Sequence, residues 1–587
     1  VYEAADVIGR SAKIVNASSQ DVQLTRLMSL QLDFDDSDYI FTTFRGAWAR
    51  EMHRCDQTLT GGRIVNDSFT GTTSSRANSF VMLSRPKTGE DQGDCYGFHL
   101  IYSGNHCETA EVSSFGKLRL LTGINPREFS WKLEPGAQFQ APEAFMTYAP
   151  DGWGGMSRRM HAFIREHIVR GYWKNRPRPV LLNSWEACYF DISESRLLKL
   201  AKAGKDAGIE LFVVDDGWFG NKHPRNSDNA GLGDWEVMRS KLPGGIPALV
   251  QSAKEAGVKF GIWIEPEMVN PKSELFEKHP DWAIQLPNRE TYYYRNQLVL
   301  DLSNPKVQDF VYGVVDKILT ENPEVAFFKW DCNSPITNVY SPYLKNKQGQ
   351  LYIDHVRGIY NVLKRIKDKY PNVPMMLCSG GGARCDYEAL KYYTEFWCSD
   401  NTDPIERLFI QWGFSQIFPA KAMCAHVTSW NKNTSVKFRT DVASMCKLGF
   451  DLGLKELNAD EQTYCQNAVA NWTRLKKVIL DGDQYRLVSP YDGNHMSLMY
   501  ASPDKNKAVL YTYDIHPRFG EKLLPVKLQG LDAKKMYKVK EINLMPNSKS
   551  NLAANEKTYS GDYLMKVGIN AFTTNQAFSR VIELTAE

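Results

Sequence analysis

Six short apolar runs in this chain finish in groups able to act as acid, base or nucleophile: NSWEACYFD, FVVDDGWFG, GIWIEPEMV, FFKWDCNSP, MMLCSGGGA and FWCSDNTDP. Their ends carry Trp185, Asp215, Asp216, Trp218, Trp263, Glu265, Glu267, Lys329, Asp331, Asn333, Cys378, Asp400 and Asp403. Few of these stabilise a fold, because crowded carboxylates repel one another and lose hydration on burial. In FFKWDCN, residues 327–333, an extended backbone with its period of two turns Lys329 and Asp331 to one side and Trp330 to the other. Two carboxylates facing each other among aromatic rings suit glycoside cleavage, one as nucleophile and the other as acid and then base. A separation of about 5–5.5 Å gives retention and one of about 6.5–9.5 Å inversion. A lysine beside the nucleophile keeps it ionised. The acid needs a raised pKa, which burial and neighbouring carboxylates supply.

Each of these residues also has a plainer reading. A strand-end aspartate is commonly a turn or cap residue. Asp400 has a close rival in Asp403, three residues on, which is expected to cap a helix starting near Pro404. Asp215 or Asp216 could cap a strand, and Cys378 could be a small core residue. One of Glu265 and Glu267, on either side of Pro266, is expected to orient a lysine or arginine. Tyr292, Tyr293 and Tyr294 form either a lid wall or a sticky loop. CSGGG lacks the K-[ST] of a phosphate loop, so no nucleotide is expected. The absence of CxxC and HExxH gives no support for a metal, and no cofactor is called for.

The elements that must position these groups follow from length and periodicity. The chain has 587 residues, beyond the ~250–300 at which single cores stop growing, so two or three domains are expected. Hydrophobic content of 43% and charged content of 24% are those of a globular protein. The net charge of +3, on 71 basic and 68 acidic side chains, gives no basic face and argues against nucleic acid. No run of ~18 apolar residues marks a transmembrane helix, so no membrane partner is expected. VYEAADVIG has no signal-peptide pattern and no initiator Met, so the N-terminus is expected to be processed or truncated and the compartment stays open. The eleven cysteines lack paired spacing and imply no disulfide framework.

Residues 1–155 read as an antiparallel β-sandwich of short β-branched and aromatic runs. A helical linker is expected over 156–179, including MSRRMHAFIREHIV. From 180 to 480, strands at 180–185, 211–218, 259–267, 325–331, 374–379, 395–400, 420–427 and 447–454 alternate with helices. One helix opens at Asn304-Pro305 with a 3.6-residue apolar stripe. Continuous apolar strands buried on both faces make this an α/β unit, expected as a (β/α)8 TIM barrel, with a doubly wound sheet as the alternative. A helix at 459–480 leaves the barrel, and 481–587 reads as a C-terminal antiparallel β domain. In a barrel the ligand site lies at the C-terminal strand ends, where the chemistry-bearing residues cluster.

KWDCN, CSDNTDP, VVDDGWFG, IWIEPEM, RNQLVLDL and CSGGG, taken in order, resemble the retaining α-galactosidases of glycoside hydrolase family 36. The resemblance covers most of the chain, from SSRANSF near residue 75 to the C-terminal β domain. It implies a nucleophile at Asp331, an acid/base at Asp400, and galactose-hydroxyl ligands at Asp215, Asp216 and Lys329, with Asn333 two residues past the nucleophile. It further implies contacts from Arg295, Trp185 and Trp263, and from Cys378 and the amide of Gly381 against the sugar's C2 hydroxyl. The implied activity is hydrolysis of terminal α-linked galactose from galacto-oligosaccharides, the substrate partner. The alternatives are an α-N-acetylgalactosaminidase or a galactosyl-transferring enzyme on the same scaffold, and a catalytically silent sugar-binding protein. A longer N-terminal sandwich is usual in the family, and its first part can reach a neighbouring subunit's site, which leaves a homo-oligomer open. Where the family often has a second arginine after K-W-D-x-N, this chain has Ser334.

Overall fold

The computed structural model describes residues 1–73, 76–430, 433–573 and 576–587. Of the SSRANSF stretch, residues 74 and 75 therefore lie outside the described residues. The centre is a closed barrel of eight parallel strands: β1 (Leu181–Asn183), β2 (Leu211–Val214), β3 (Lys259–Ile264), β4 (Val325–Trp330), β5 (Met375–Leu377), β6 (Glu395–Trp397), β7 (Met423–Thr428) and β8 (Lys447–Asp451). β8 pairs back onto β1 at Gly449 and Leu181, which closes the ring and excludes the doubly wound sheet.

Before the barrel, a six-stranded and a four-stranded antiparallel sheet face each other. Phe41, Val81, Leu83, Phe98 and Leu100 of the first pack with Leu30, Ala110, Leu118 and Leu120 of the second. After the barrel comes a six-stranded antiparallel sheet. Its strands at Asp483–Val488 and Thr558–Ser560 were not expected from sequence, the second being only three residues long. Among the described residues, no helix is long and apolar enough to cross a membrane. All eleven cysteines are free thiols.

The observed barrel strands are shorter than the apolar runs. Residues 215–218 and 265–267 leave the ladder, because there the backbone turns to present side chains at the mouth. Residues 420–422 form a 3-10 turn instead of the start of a strand. The helix expected from 156 begins at Gly152. Gly152, at φ +78°, lies where a Cβ would come within 2.4 Å of the Gly89 carbonyl, so a glycine there allows a close docking. The Asn304 cap holds as expected, with its side chain accepting from the Lys306 amide and Pro305 in the first turn.

Leu181, Leu211, Val213, Phe327, Met376, Cys378, Trp397 and Cys424 fill the barrel interior. At the N-terminal end Glu395 pairs with Lys447 and, at 3.3 Å, with Arg178. All three are buried, so losing one partner strands a charge and costs about 3–5 kcal/mol. That end is closed by charge pairing, and the opposite end is open.

Candidate active site

The open end is a cavity of about 480 Å³ lined by Trp185, Asp215, Asp216, Trp263, Arg295, Lys329, Asp331, Asn333 and Asp400 among others. Nine of the eleven residues expected from sequence thus share one cavity of ordinary small-ligand size.

Asp331 follows the last residue of β4. Its Oδ1 accepts from the backbone N–H of Cys332 at 2.8 Å and of Gly380 at 3.2 Å, and its Oδ2 from Trp263 Nε1 at 3.2 Å. Burial opposes its ionisation, but the charges of Lys329 and Arg295 outweigh that, and the carboxyl lies below the usual aspartate range. Lys329, two residues earlier on the same strand face, pairs with Asp215 at 2.7 Å. Burial works against the ammonium, and Asp215 and Asp331 more than compensate, so Lys329 stays charged. Trp330 points away, its indole N–H donating to Glu267 at 2.7 Å.

Asp400 lies three residues past the end of β6. Trp48 Nε1 donates to its Oδ2 at 2.8 Å and Trp397 Nε1 to its Oδ1 at 3.1 Å. Desolvation in the mouth, followed by the Asp331 charge, raises its pKa, with Trp48, Lys329 and Arg295 offsetting part of the rise. The two carboxyl groups are therefore pushed in opposite directions. Asp403 caps the helix Pro404–Phe414, accepting from the Ile405 and Glu406 amides.

The neighbouring carboxylates divide into scaffold and lining. Asp216 takes a two-pronged bond from buried Arg225, at 2.9 and 2.8 Å, which fixes its rotamer. Glu267 is the scaffold glutamate, held by Arg384 at 2.8 and 2.9 Å. Glu265 accepts from Gln297 and from the Asn333 amide, and burial together with Asp331 pushes it up to about 7. Arg295 and Asn296, at φ +51° and +58°, sit in a turn closed by the Gln297 N–H to the Tyr294 carbonyl. Arginine is seldom found in the left-handed region, and here that backbone delivers it to the mouth.

Cys378 and Gly381 do not line the cavity. Cys378 packs in the barrel interior, its Sγ 3.9 Å from Asp400 Oδ1. Gly380 is the glycine that lines the cavity, and Gly381 lies behind it, where a Cβ would be 2.9 Å from the Asp400 amide. Sequence reasoning missed Trp48, Glu186, Tyr189, Trp397, Thr402, Trp430 and Asp451, which complete the lining, and left Tyr294 undecided. Trp397 and Asp451 carried the signal already used for the others, a polar or aromatic residue ending an apolar run. Trp48 carried none, because it comes from the N-terminal sandwich. Asp451 accepts from Asn183 Nδ2 and the Glu186 amide, and burial with Glu186 and Asp215 pushes it up to about 8.

The family model described as Melibiase matches residues 138–482. Those for the glycosyl hydrolase family 36 N-terminal and C-terminal domains match residues 1–134 and 495–584. The chain is 37% identical to alpha-galactosidase AgaA of Geobacillus stearothermophilus over 574 residues, 97% of this chain and 76% of that protein. It is 36% identical to alpha-galactosidase 1 of Pediococcus pentosaceus, again over 97% of this chain and 76% of that protein. The crystal structure of AgaA superposes with a TM-score of 0.94, covering 99% of this chain and 80% of that one. Variants of that enzyme have been solved in complex with stachyose and with raffinose.

Proposed function

This chain belongs to family 36 of the glycosyl hydrolases and is an α-galactosidase, and on that premise we propose that it releases terminal α-linked galactose with retention, through a covalent intermediate on Asp331. Raffinose and stachyose, the sugars bound by the AgaA variants, are the substrates proposed for it. The observation that carries the reading is the placing of two carboxyl groups in one cavity, Asp331 held by three N–H donors beside charged Lys329 and Asp400 held by the Trp48 and Trp397 indoles.

In the first step an Asp331 oxygen attacks the anomeric carbon and the bond to the leaving oxygen breaks. Asp400 gives its proton to that oxygen. Trp263 and the Cys332 and Gly380 amides hold the attacking carboxylate in place. In the second step Asp400 takes a proton from water, whose oxygen bonds to the anomeric carbon as the ester to Asp331 breaks. Asp215, Asp216, Lys329 and Arg295 are assigned to the galactose hydroxyls. Asn333, which lines the cavity and bonds the Asp331 carboxylate through its side chain, is a further donor beside them.

The test is to follow the anomer of galactose released first, by proton NMR before mutarotation. Retention yields α-galactose first; initial β-galactose overturns the covalent route.

A further inference from the structure

The hairpin of strands Ile40–Ala47 and Arg50–Thr58 in the N-terminal sandwich ends in Trp48 and Ala49, which meet the barrel at the acid residue. Asn401 Nδ2 donates to the Ala49 carbonyl at 3.1 Å. Two residues beyond this contact lies Glu51, a fully buried glutamate that the mechanism above does not use. Its Oε1 accepts from the Ala49 amide at 3.2 Å. The same oxygen abuts Gly381, where a Cβ would come within 2.6 Å of it, within 2.9 Å of the Asp400 amide and within 2.9 Å of Ser399 Cα. Gly381 is thus the spacer that lets a carboxyl group from one domain lie against the peptide carrying Asp400 in another. Its φ of +79° is a second reason for glycine there.

We propose that Glu51 is a positioning residue for the acid/base, setting from across the domain interface the pH at which Asp400 gives up its proton. The inference rests on the assignment of Asp400 as acid/base. Asp400 is faced by Asp331, Lys329, Arg295 and the Cys378 thiol from the barrel and by Glu51 from the sandwich. Glu51 is faced by Asp400 and Arg407, with the thiols of Cys385 and Cys398 behind it. Burial pushes Glu51 up to about 7; the Ser399 hydroxyl offsets part of that and the Asp400 charge adds to it. Above that pH Glu51 becomes a negative charge against Asp400 and makes its proton harder to lose. A galactosidase with this glutamate keeps its acid protonated further into the alkaline range.

The experiment compares Glu51→Gln with the unmodified enzyme as pH profiles of kcat/KM on two substrates. Methyl α-galactoside needs the leaving oxygen protonated, and α-galactosyl fluoride does not. On the methyl glycoside the alkaline limb is expected at lower pH, a loss of roughly 3- to 10-fold above pH 8 with the plateau kept. On the fluoride the two profiles are expected to overlay. Profiles that overlay on both substrates, or an equal loss on both, overturn the inference. Asp400→Asn on the same pair separates this from failure of the underlying reading. If it hydrolyses neither substrate preferentially, the acid assignment itself is wrong. Should Glu51→Gln fail to fold, Ser399→Ala removes the hydroxyl that stabilises the Glu51 anion. It is expected to move the methyl-glycoside limb the same way and leave the fluoride profile unmoved; an unmoved limb overturns the proposal.

Discussion

Trp48 Nε1 and Asp400 Oδ2 lie 2.8 Å apart although 352 positions of chain separate them. The indole N–H stabilises the charged carboxylate and so lowers a pKa that burial and Asp331 raise. Trp48→Phe keeps an aromatic wall and removes the donor. Its alkaline limb of kcat/KM is expected to move to higher pH, opposite in sign to the Glu51→Gln shift. A limb at unchanged pH would show that the bond has no hold on the acid.

Asp331→Ala is expected to lower turnover on p-nitrophenyl α-galactoside by about a thousandfold or more, since it removes the group that forms the covalent bond. Added azide fits the space left and is expected to restore part of the rate, with β-galactosyl azide as product. Mass spectrometry and the anomeric coupling constant check it; rescue without that product would move the nucleophile elsewhere.

Asp451 and Glu186, pushed up to about 8 and about 7, couple stability to pH. Their folded-state pKa values lie above the unfolded values near ~4. The stability they contribute is therefore complete below about pH 4 and is lost as pH rises through about 7 to 8. The apparent Tm is expected to fall by ~2–5 °C between pH 6 and pH 9. Asp451→Asn should flatten that fall, because the amide cannot ionise and the Asn183 Oδ1, without a partner among the described residues, can turn to accept from it. Differential scanning calorimetry at matched ionic strength reads the difference, and parallel curves for the two proteins would contradict it.

The enzyme is expected to prefer p-nitrophenyl α-galactoside over the α-N-acetylgalactosaminide by roughly a hundredfold or more in kcat/KM. C2 of the sugar adjoins the carbon that Asp331 attacks, and the Gly380 amide is bonded to Asp331. The loop behind it is packed hard: a Cβ on Gly382 would be 2.6 Å from the Cys398 carbonyl and 2.7 Å from Phe414. The wall therefore has nowhere to retreat for an acetamido group. Equal rates on the two substrates would show that it does.

The chemistry was legible where it obeyed a local rule. Lys329 and Asp331 sit on one face of a strand because of its period of two, and they line the cavity together while Trp330 turns outward. Asp403 was separable from Asp400 because Pro404 marks a helix start. Trp48 and Glu51 were not legible, since only the packing of one domain against another brings them to the site. The contact of Cys378 and Gly381 with the sugar was what the resemblance implied; the thiol packs in the barrel interior 3.9 Å from Asp400 Oδ1, and Gly380 is the glycine that lines the cavity. Asp451 ends an apolar run as Asp331 does and was passed over because it stands alone, without a neighbouring charge to mark it.

The hairpin that carries Trp48 and Glu51 makes turnover a gauge of assembly. An eight-stranded barrel cut free of its sandwich would keep the nucleophile and lose the partners that tune the acid. Heat, denaturant or a protease that loosens the interface would alter the pH profile for poor leaving groups while the barrel still gave its circular dichroism. An engineer grafting this barrel onto another scaffold must carry the hairpin with it.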